Sequence, residues 1–471
     1  MEAQANHFAV ELDEWLQSRS TWLTRPLDLI PSLKPALAPA PTETVSHLPA
    51  INKLPVEIWL YILSFLPKHY IRTCMGVHRI FYEIAMDEIH KDLRLVETPT
   101  TDFIRPYKDP KISQRVHRIH IRPDFFHHIQ EMAPESHRWL SSLLEFKKGH
   151  KFKSPSQSLF KWKEAWGELD SKTLALFTGV EEINITLHNV SPPVFFAPFL
   201  ETLWTTLGPR LQKLSVDLTP GQLPLILDPT VATTLHCLTT FEIRFARSHF
   251  PISHLSSVIQ HTLLPFTQGL RTTLTSLTVC ASEKTNLSCF LSGIGYLPCL
   301  TTFSISLFTN QDASNERHSL TAFLSAHSTH IQDLTIEHKP GRYTRTTAYE
   351  TLVRSDFTKL YLPALRRLSI CLSIVPNLAE HSSIVTHVDL ARLPRLDTLV
   401  IPDAVLECNM IRKILSSLPE NGTHMRRLSI KVRTVCLQLM DILAEFVPAL
   451  EDLTIVCHWG MEFVSGFDSL R

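Results

Sequence analysis

The sequence predicts an α/β architecture: a small three-helix unit followed by an irregular solenoid, with one curved parallel sheet and helices or loops outside it. Three observations lead there. An apolar triplet recurs every 25–36 residues through most of the 471-residue chain. Before that series, about forty residues carry the caps and apolar faces of short helices. Glycine is scarce, at 13 residues, about 3% against an average near 7%. That scarcity excludes the glycine-rich loops through which many enzymes bring backbone close to phosphates.

The triplet begins with an isolated copy, Val116-x-x-Ile119-x-Ile121. It resumes as Val180-x-x-Ile183-x-Ile185 and Leu211-x-x-Leu214-x-Val216, and further copies start at Leu238, Leu274, Leu300, Ile331, Leu365, Leu396, Met425 and Leu450. From 180 to 450, nine intervals span 270 residues, a mean of 30. Several copies are announced by a proline, as in Leu297-Pro298 and Leu393-Pro394. Each triplet reads as a short strand with its apolar residues inward and the alternate residues outward on the concave side. One such unit cannot bury its own apolar edge, so neighbours stack into a continuous core. This is the pattern of a leucine-rich-repeat solenoid. The intervening residues hold the closing helix or loop, as over Ala322–Ala326 and Met410–Leu418.

Residues 52–95 have a different texture. Pro55 opens a helix at a position where its missing N–H costs nothing, and Glu57 sits in the first turn, favoured by the helix dipole. Ile58, Ile62, Phe65 and Leu66 share one apolar face, Trp59 and Leu63 form a second strip, and Pro67 stops the helix. Two further helices are expected, at about Tyr70–Val77 and Arg79–Leu93. So short a unit cannot bury two apolar faces on itself, so one face is meant for another protein.

The run Leu54-Pro55-Val56-Glu57-Ile58-Trp59-Leu60-Tyr61-Ile62-Leu63-Ser64-Phe65-Leu66-Pro67, followed by Cys74-Met75-Gly76-Val77-His78-Arg79-Ile80-Phe81, resembles an F-box. The opening half is close to the family pattern. The second half departs from it, with Phe81 at the usual Trp position, His78 for Cys or Ser, and Tyr70 for Leu. The resemblance implies docking on a Skp-family adaptor through Leu54, Pro55, Ile58, Leu63, Phe65, Leu66 and Val77, and through it a cullin–RING ligase. An F-box followed by leucine-rich repeats implies the substrate receptor of an SCF-type ubiquitin ligase, its repeats holding a target protein. The alternatives are a non-degradative adaptor-bound scaffold and a stand-alone repeat protein.

The expected organisation is therefore an N-terminal segment and linker (1–50), the F-box (51–95), a connecting region with one early strand (96–179) and the repeat domain (180–471). The first segment holds a possible amphipathic helix (Phe8, Leu12, Trp15, Leu16) and a Pro-rich stretch from Pro26 to Pro41. The connecting region carries lysines from Lys147 to Lys163 interleaved with Phe146, Phe152, Phe160 and Trp162, either a solvated face or a grip for an anionic partner.

Along the concave positions the early strands are mixed in charge (Lys213, Asp217, Glu242, Arg244) and the middle ones are small and neutral. Asp333 and Glu337 add an acidic step, and Arg367, Arg427 and Lys431, with Arg366 and Arg426 beside them, make the late repeats basic. Those five strand residues form the candidate target site, and its late charges, Arg367, Arg427 and Lys431 with Arg366 and Arg426, are read as one patch suited to an acidic or phosphorylated segment, the alternative being arginines that only keep the coil soluble.

Lys plus Arg and Asp plus Glu both number 46, so the chain lacks the basic excess of a nucleic-acid or membrane-surface binder. Nine cysteines, none two residues from another, give no zinc ligand pairs and no dense disulfide framework. Adjacent and three-apart histidines such as His117 and His120 point to opposite faces of a strand. No metal, no cofactor and no catalytic residues are expected, and any ligase chemistry belongs to partners. The start lacks a signal-peptide pattern and no run of 18 apolar residues occurs. The expectation is a chain working inside the cell, in cytoplasm or nucleus.

Overall fold

The structure is a computed structural model that describes residues 54–66, 68–76, 79–95, 101–122, 169–187, 196–246, 256–282, 285–308, 313–339, 360–372, 390–419 and 424–457. The N-terminal helix and Pro-rich stretch, Val77 and His78, and the basic insertion lie outside the described residues. The chain divides into two compact units, Met1–Phe65 and Leu66–Arg471.

In the first unit, helix α1 (Val56–Ser64) starts on Pro55, whose carbonyl accepts from the Ile58 and Trp59 amides at 3.1 and 3.4 Å. Glu57 lies in its first turn and Phe65 closes it. Trp59 and Leu63, four residues apart, are buried, while the other side chains described from Val56 to Leu63 are exposed and mostly apolar.

The second unit opens with α2 (Lys68–Thr73) and α3 (Arg79–His90) and continues into a parallel sheet whose strands follow chain order. Among the described residues there are twelve: β1 (Asp92–Leu95), β2 (Arg118–Ile121), β3 (Glu182–Leu187), β4 (Lys213–Leu218), β5 (Thr240–Phe245), β6 (Ser276–Cys280), β7 (Thr302–Phe308), β8 (Asp333–Lys339), β9 (Arg367–Leu372), β10 (Thr398–Leu406), β11 (Arg427–Val432) and β12 (Asp452–Cys457). In all eleven triplets the second and third apolar residues fall on a strand, β2 to β12, and the first stands two residues before it. Consecutive order in an all-parallel sheet requires each connection to cross back over the same face, which is the coil of a solenoid. Helices of six or more residues on that return path are α4 (Phe196–Leu207), α5 (Leu264–Gly269), α6 (Ser288–Gly293), α7 (Ala313–Ala326), α8 (Cys408–Leu415) and α9 (Leu437–Phe446).

The strands are held at their entry by a repeated device. In each of the eleven strand-to-strand steps, the carbonyl one residue before a strand accepts from two successive amides of the next repeat. His117 and Arg118 both donate to the Lys91 carbonyl at 2.9 Å, and Glu451 and Asp452 to that of Arg426 at 2.8 and 3.0 Å. Because one acceptor serves the turn and the first ladder position together, every strand begins in the same register. The triplet residues are then stacked in files: Leu214, Phe241, Leu277, Phe303 and Leu334 are fully buried at equivalent positions. Burying each such side chain contributes about 1.5–3 kcal/mol before chain entropy is counted. Aromatic pairs fill the space between sheet and helices, with Phe241 and Phe266 centroids at 5.3 Å and Phe303 and Phe323 at 4.7 Å.

Two expectations need correction. The third helix does not run to Leu93; it ends at His90, and Asp92–Leu95 is the first strand. The sheet therefore starts at residue 92, and the copy at Val116, expected to stand apart, is an integral second strand, β2, paired with β1 and β3. His90-x-x-Leu93-x-Leu95 is the triplet with histidine in the leading apolar place. His90 packs edge-on against Tyr107 with ring centroids 5.8 Å apart, and burial pushes its pKa down. The unit boundary likewise falls at Phe65, within the 51–95 segment. The reason is local: α3 leads directly into β1, and Arg115, just before β2, forms ion pairs with Glu83 and Asp87 of α3. The third helix is thus fastened to the repeats.

Candidate functional site

The first surface belongs to α1. Leu54, Ile58, Ile62 and Phe65 recur at helical spacing and are all exposed, Phe65 at 68%. Pro55 is exposed beside them and Leu66 is half-buried. Leu63 differs from the other residues expected to dock: with Trp59 it forms the buried strip, at 6% exposure, so it supports the helix and does not present itself. Val77 lies outside the described residues. What remains outward is a strip of branched and aromatic side chains with no charge except Glu57 at its start.

The second surface is the outward face of the sheet, where register places equivalent residues side by side. Its first file starts Asp92, Arg118, Glu182, Lys213. These charges pair with one another: Arg118 with Asp92 at 2.5 Å and Lys213 with Glu182 at 3.0 Å. Burial alone would raise the Glu182 carboxyl, but hydrogen bonds from Lys213 and Asn184 and the nearby Arg118 charge outweigh it and leave the pKa lowered. Arg244 and Glu242 on β5 pair at 2.6 Å. The early face is therefore self-neutralised. The file then turns neutral through Thr240, Ser276 and Thr302, with Thr278, Ser304 and Thr335 in the file beside it.

The five strand residues of the candidate target site do not come together. Asp333 and Arg367 are register partners and pair at 3.9 Å, so they partly cancel. Arg427 shares their file two strands on, between Thr398 and Asp452. Lys431 lies four residues further along β11, about 13 Å away at the strand rise, and Glu337 is separated from Asp333 in the same way. Between Ile401 and Val405 the register of β10 shifts, so that Val405 stands beside Lys431.

The basic side chains that do gather are at the strand entries. Arg366, Arg395, His424 and Arg426, with Pro394 and Asp397, line a cavity of about 400 Å³. Arg366, Asp397 and Arg426 each directly precede a strand, and Arg395 and His424 stand two residues earlier in successive repeats. Arg426 pairs with Glu451 at 3.5 Å, both side chains being largely exposed. Among the described residues Arg366 and Arg395 have no ion-pair partner. Three guanidinium groups against Asp397 in the lining and Glu451 beside Arg426 leave a net positive site suited to carboxylate or phosphate oxygens. Of these, Arg366 and Arg426 are expected from the sequence as neighbours of the late strand charges, and Arg395, at about the repeat interval between them, is the addition.

Among the described residues no group of three or more His, Cys, Asp or Glu is placed to hold a metal ion. No described helix is long and apolar enough to cross a membrane.

Residues 51–95 match the F-box-like family model. No curated protein matches the sequence. Similar solved structures include the leucine-rich repeat-containing protein LegL7 from Legionella pneumophila, 12% identical, covering 76% of this chain and all of that one with a TM-score of 0.37. They also include the Rad7 and Elc1 complex from yeast, 11% identical, covering 86% of this chain and 89% of that one with a TM-score of 0.34. The segment 51–95 is F-box-like, and the repeats form an open α/β sheet of the leucine-rich-repeat kind.

Proposed function

We propose that this chain is the substrate-recognition subunit of an SCF-type ubiquitin ligase. The F-box-like segment docks on a Skp-family adaptor, and the repeats hold a target protein. The observation that carries the reading is the exposed apolar face of α1 within the family match, followed by a continuous twelve-strand sheet. Exposing that much apolar surface on one short helix is a standing cost unless a partner covers it. The chain itself supplies proximity and choice, with no catalytic residue of its own, because holding the target near the conjugating machinery is the contribution required. It works inside the cell, where that machinery is. The target engages the late repeats through an acidic or phosphorylated segment, for which the strand-entry cavity offers Arg366 and Arg395, without an ion-pair partner among the described residues.

Co-purification with adaptor and cullin tests the reading. Adaptor and cullin joining the wild-type chain, and neither joining a Leu54→Ala, Pro55→Ala variant, supports it. Adaptor without cullin makes the chain a non-degradative scaffold. Undiminished adaptor binding by the double variant removes α1 from the interface.

A further inference from the structure

Cys408 and Cys436 hold their sulfurs 3.4 Å apart. Cys408 is the first residue of α8, half-buried, and Cys436 is the exposed cap residue immediately before α9. The two helices belong to successive repeats and run side by side, with Arg412 of α8 paired to Glu445 of α9 at 3.5 Å. Both sulfurs therefore sit where the N-terminal ends of two neighbouring helices meet. Among the described residues no other two cysteine sulfurs touch. A disulfide requires the sulfurs to close to about 2.05 Å, a movement on the scale of a side-chain rotation.

We propose that Cys408 and Cys436 are a redox modification site, a dithiol that a peroxide converts to an intrachain disulfide joining the last two helices described. Exposure assigns the first step to Cys436. Its thiolate attacks one oxygen of hydrogen peroxide, forming an S–O bond as the O–O bond breaks, and hydroxide leaves and is protonated to water. The Cys408 thiolate then attacks that sulfenic sulfur, forming the S–S bond as the S–O bond breaks and a second water departs. Two thiols lose two electrons and two protons, and one peroxide becomes two waters. Burial and the neighbouring Cys436 sulfur push the Cys408 thiol up, which suits it to the protected, resolving position. The covalent link would tie α8 to α9 beside the open edge strand β12, whose Leu453 and Val456 are exposed.

The full chain treated with a small excess of hydrogen peroxide, alkylated while denatured and digested, should yield one cross-linked peptide pair joining Cys408 to Cys436. Its mass should be lower by about two units for the two hydrogens removed. Free thiols should fall by two from nine, and dithiothreitol should restore them. In a Cys408→Ser variant, Cys436 should accumulate as a sulfenic acid that dimedone traps. Both cysteines alkylating as in the untreated chain, or either one linking to a different cysteine, overturns the proposal. The wild-type mapping needs no variant, so a misfolded substitution does not weaken the test.

Discussion

The amide of Leu297 donates to Nε2 of the buried His327 at 2.9 Å, while Nδ1 of the same ring lies 2.7 Å from the Phe323 carbonyl. Nε2 must be an unprotonated acceptor, so Nδ1 carries the hydrogen and the ring is neutral. Tyr296 stacks on it, with centroids 5.3 Å apart. Histidine here locks the α7 end to the turn before β7, a backbone contact that leucine at the same place would leave unmade.

From this follows a pH dependence. Burial lowers the His327 pKa below 6.5, the His330 charge adds to that, and the Phe323 hydrogen bond opposes it. The unfolded chain then binds a proton that the folded one refuses. The stability contribution is complete above about pH 6.5 and is lost as pH falls below it toward the folded pKa. Melting temperature should fall between pH 8 and pH 5.5. His327→Ala should cost about 2–4 kcal/mol at pH 8, from a lost buried side chain and an orphaned amide, and should show a shallower acid decline. An equal decline in both chains, measured by urea titration, would move the acid sensitivity to His90 or His120, which burial also lowers.

Gly179 gives a second expectation. A Cβ placed there would lie 2.6 Å from the Gln114 carbonyl oxygen and 3.2 Å from that of Val116, both backbone atoms at the entry to β2. Gly179→Ala should therefore destabilise by about 1–3 kcal/mol. At Gly76 nothing lies within 4 Å, and Gly76→Ala should change stability by less than about 0.5 kcal/mol. Denaturant midpoints of the two variants check the contrast.

How far these features were legible depends on what each residue answers to. The triplets were readable because inward positions tolerate little besides large apolar side chains, so eleven strands announced themselves. The first strand was hidden by His90, whose ring does a leucine's packing while reading as polar; the 26-residue step from His90 to Val116 was the available clue. The α1 surface was legible as two apolar strips, but which strip is exposed follows from tertiary structure, and Leu63, implied by resemblance as a docking residue, lies on the buried one. The Arg366, Arg395 and Arg426 cluster and the Cys408–Cys436 contact join residues about one repeat apart. Such neighbours become visible only once the register is known.

The two strips of α1 should separate in experiment. Ile58→Asp and Phe65→Ala alter exposed side chains and should leave the melting behaviour within about 0.5 kcal/mol of wild type while abolishing adaptor capture. Leu63→Ala removes a buried side chain and should cost about 2–5 kcal/mol of stability, with adaptor capture reduced only as far as the unit unfolds. Pull-down beside thermal melts distinguishes them. A stable Leu63→Ala variant that loses capture would return Leu63 to the interface.

The last expectation concerns which arginines meet the target. Arg367 already faces Asp333, and its reversal to Glu places two acids across neighbouring strands, so its effect mixes binding with local repulsion. Arg366 and Arg395 have no such partner among the described residues, and with Arg426 they line one cavity. Each exposed charge pair with a target carboxylate or phosphate is worth ~0.2–1 kcal/mol. Reversing Arg366, Arg395 and Arg426 together should weaken capture about tenfold, since about 1.4 kcal/mol is a factor of ten. Adaptor binding should be unchanged. Raising salt from 0.1 M to 1 M shortens the screening length from about 10 Å to about 3 Å, so capture by the wild-type chain should fade over that range. The target for this measurement is one that accumulates when the chain is deleted, and titration calorimetry of its acidic segments supplies the affinities. If the Arg367, Arg427 and Lys431 reversal weakens capture more than the cavity reversal does, the target lies across the open face of the sheet. Capture indifferent to both reversals and to salt places the target on another surface altogether.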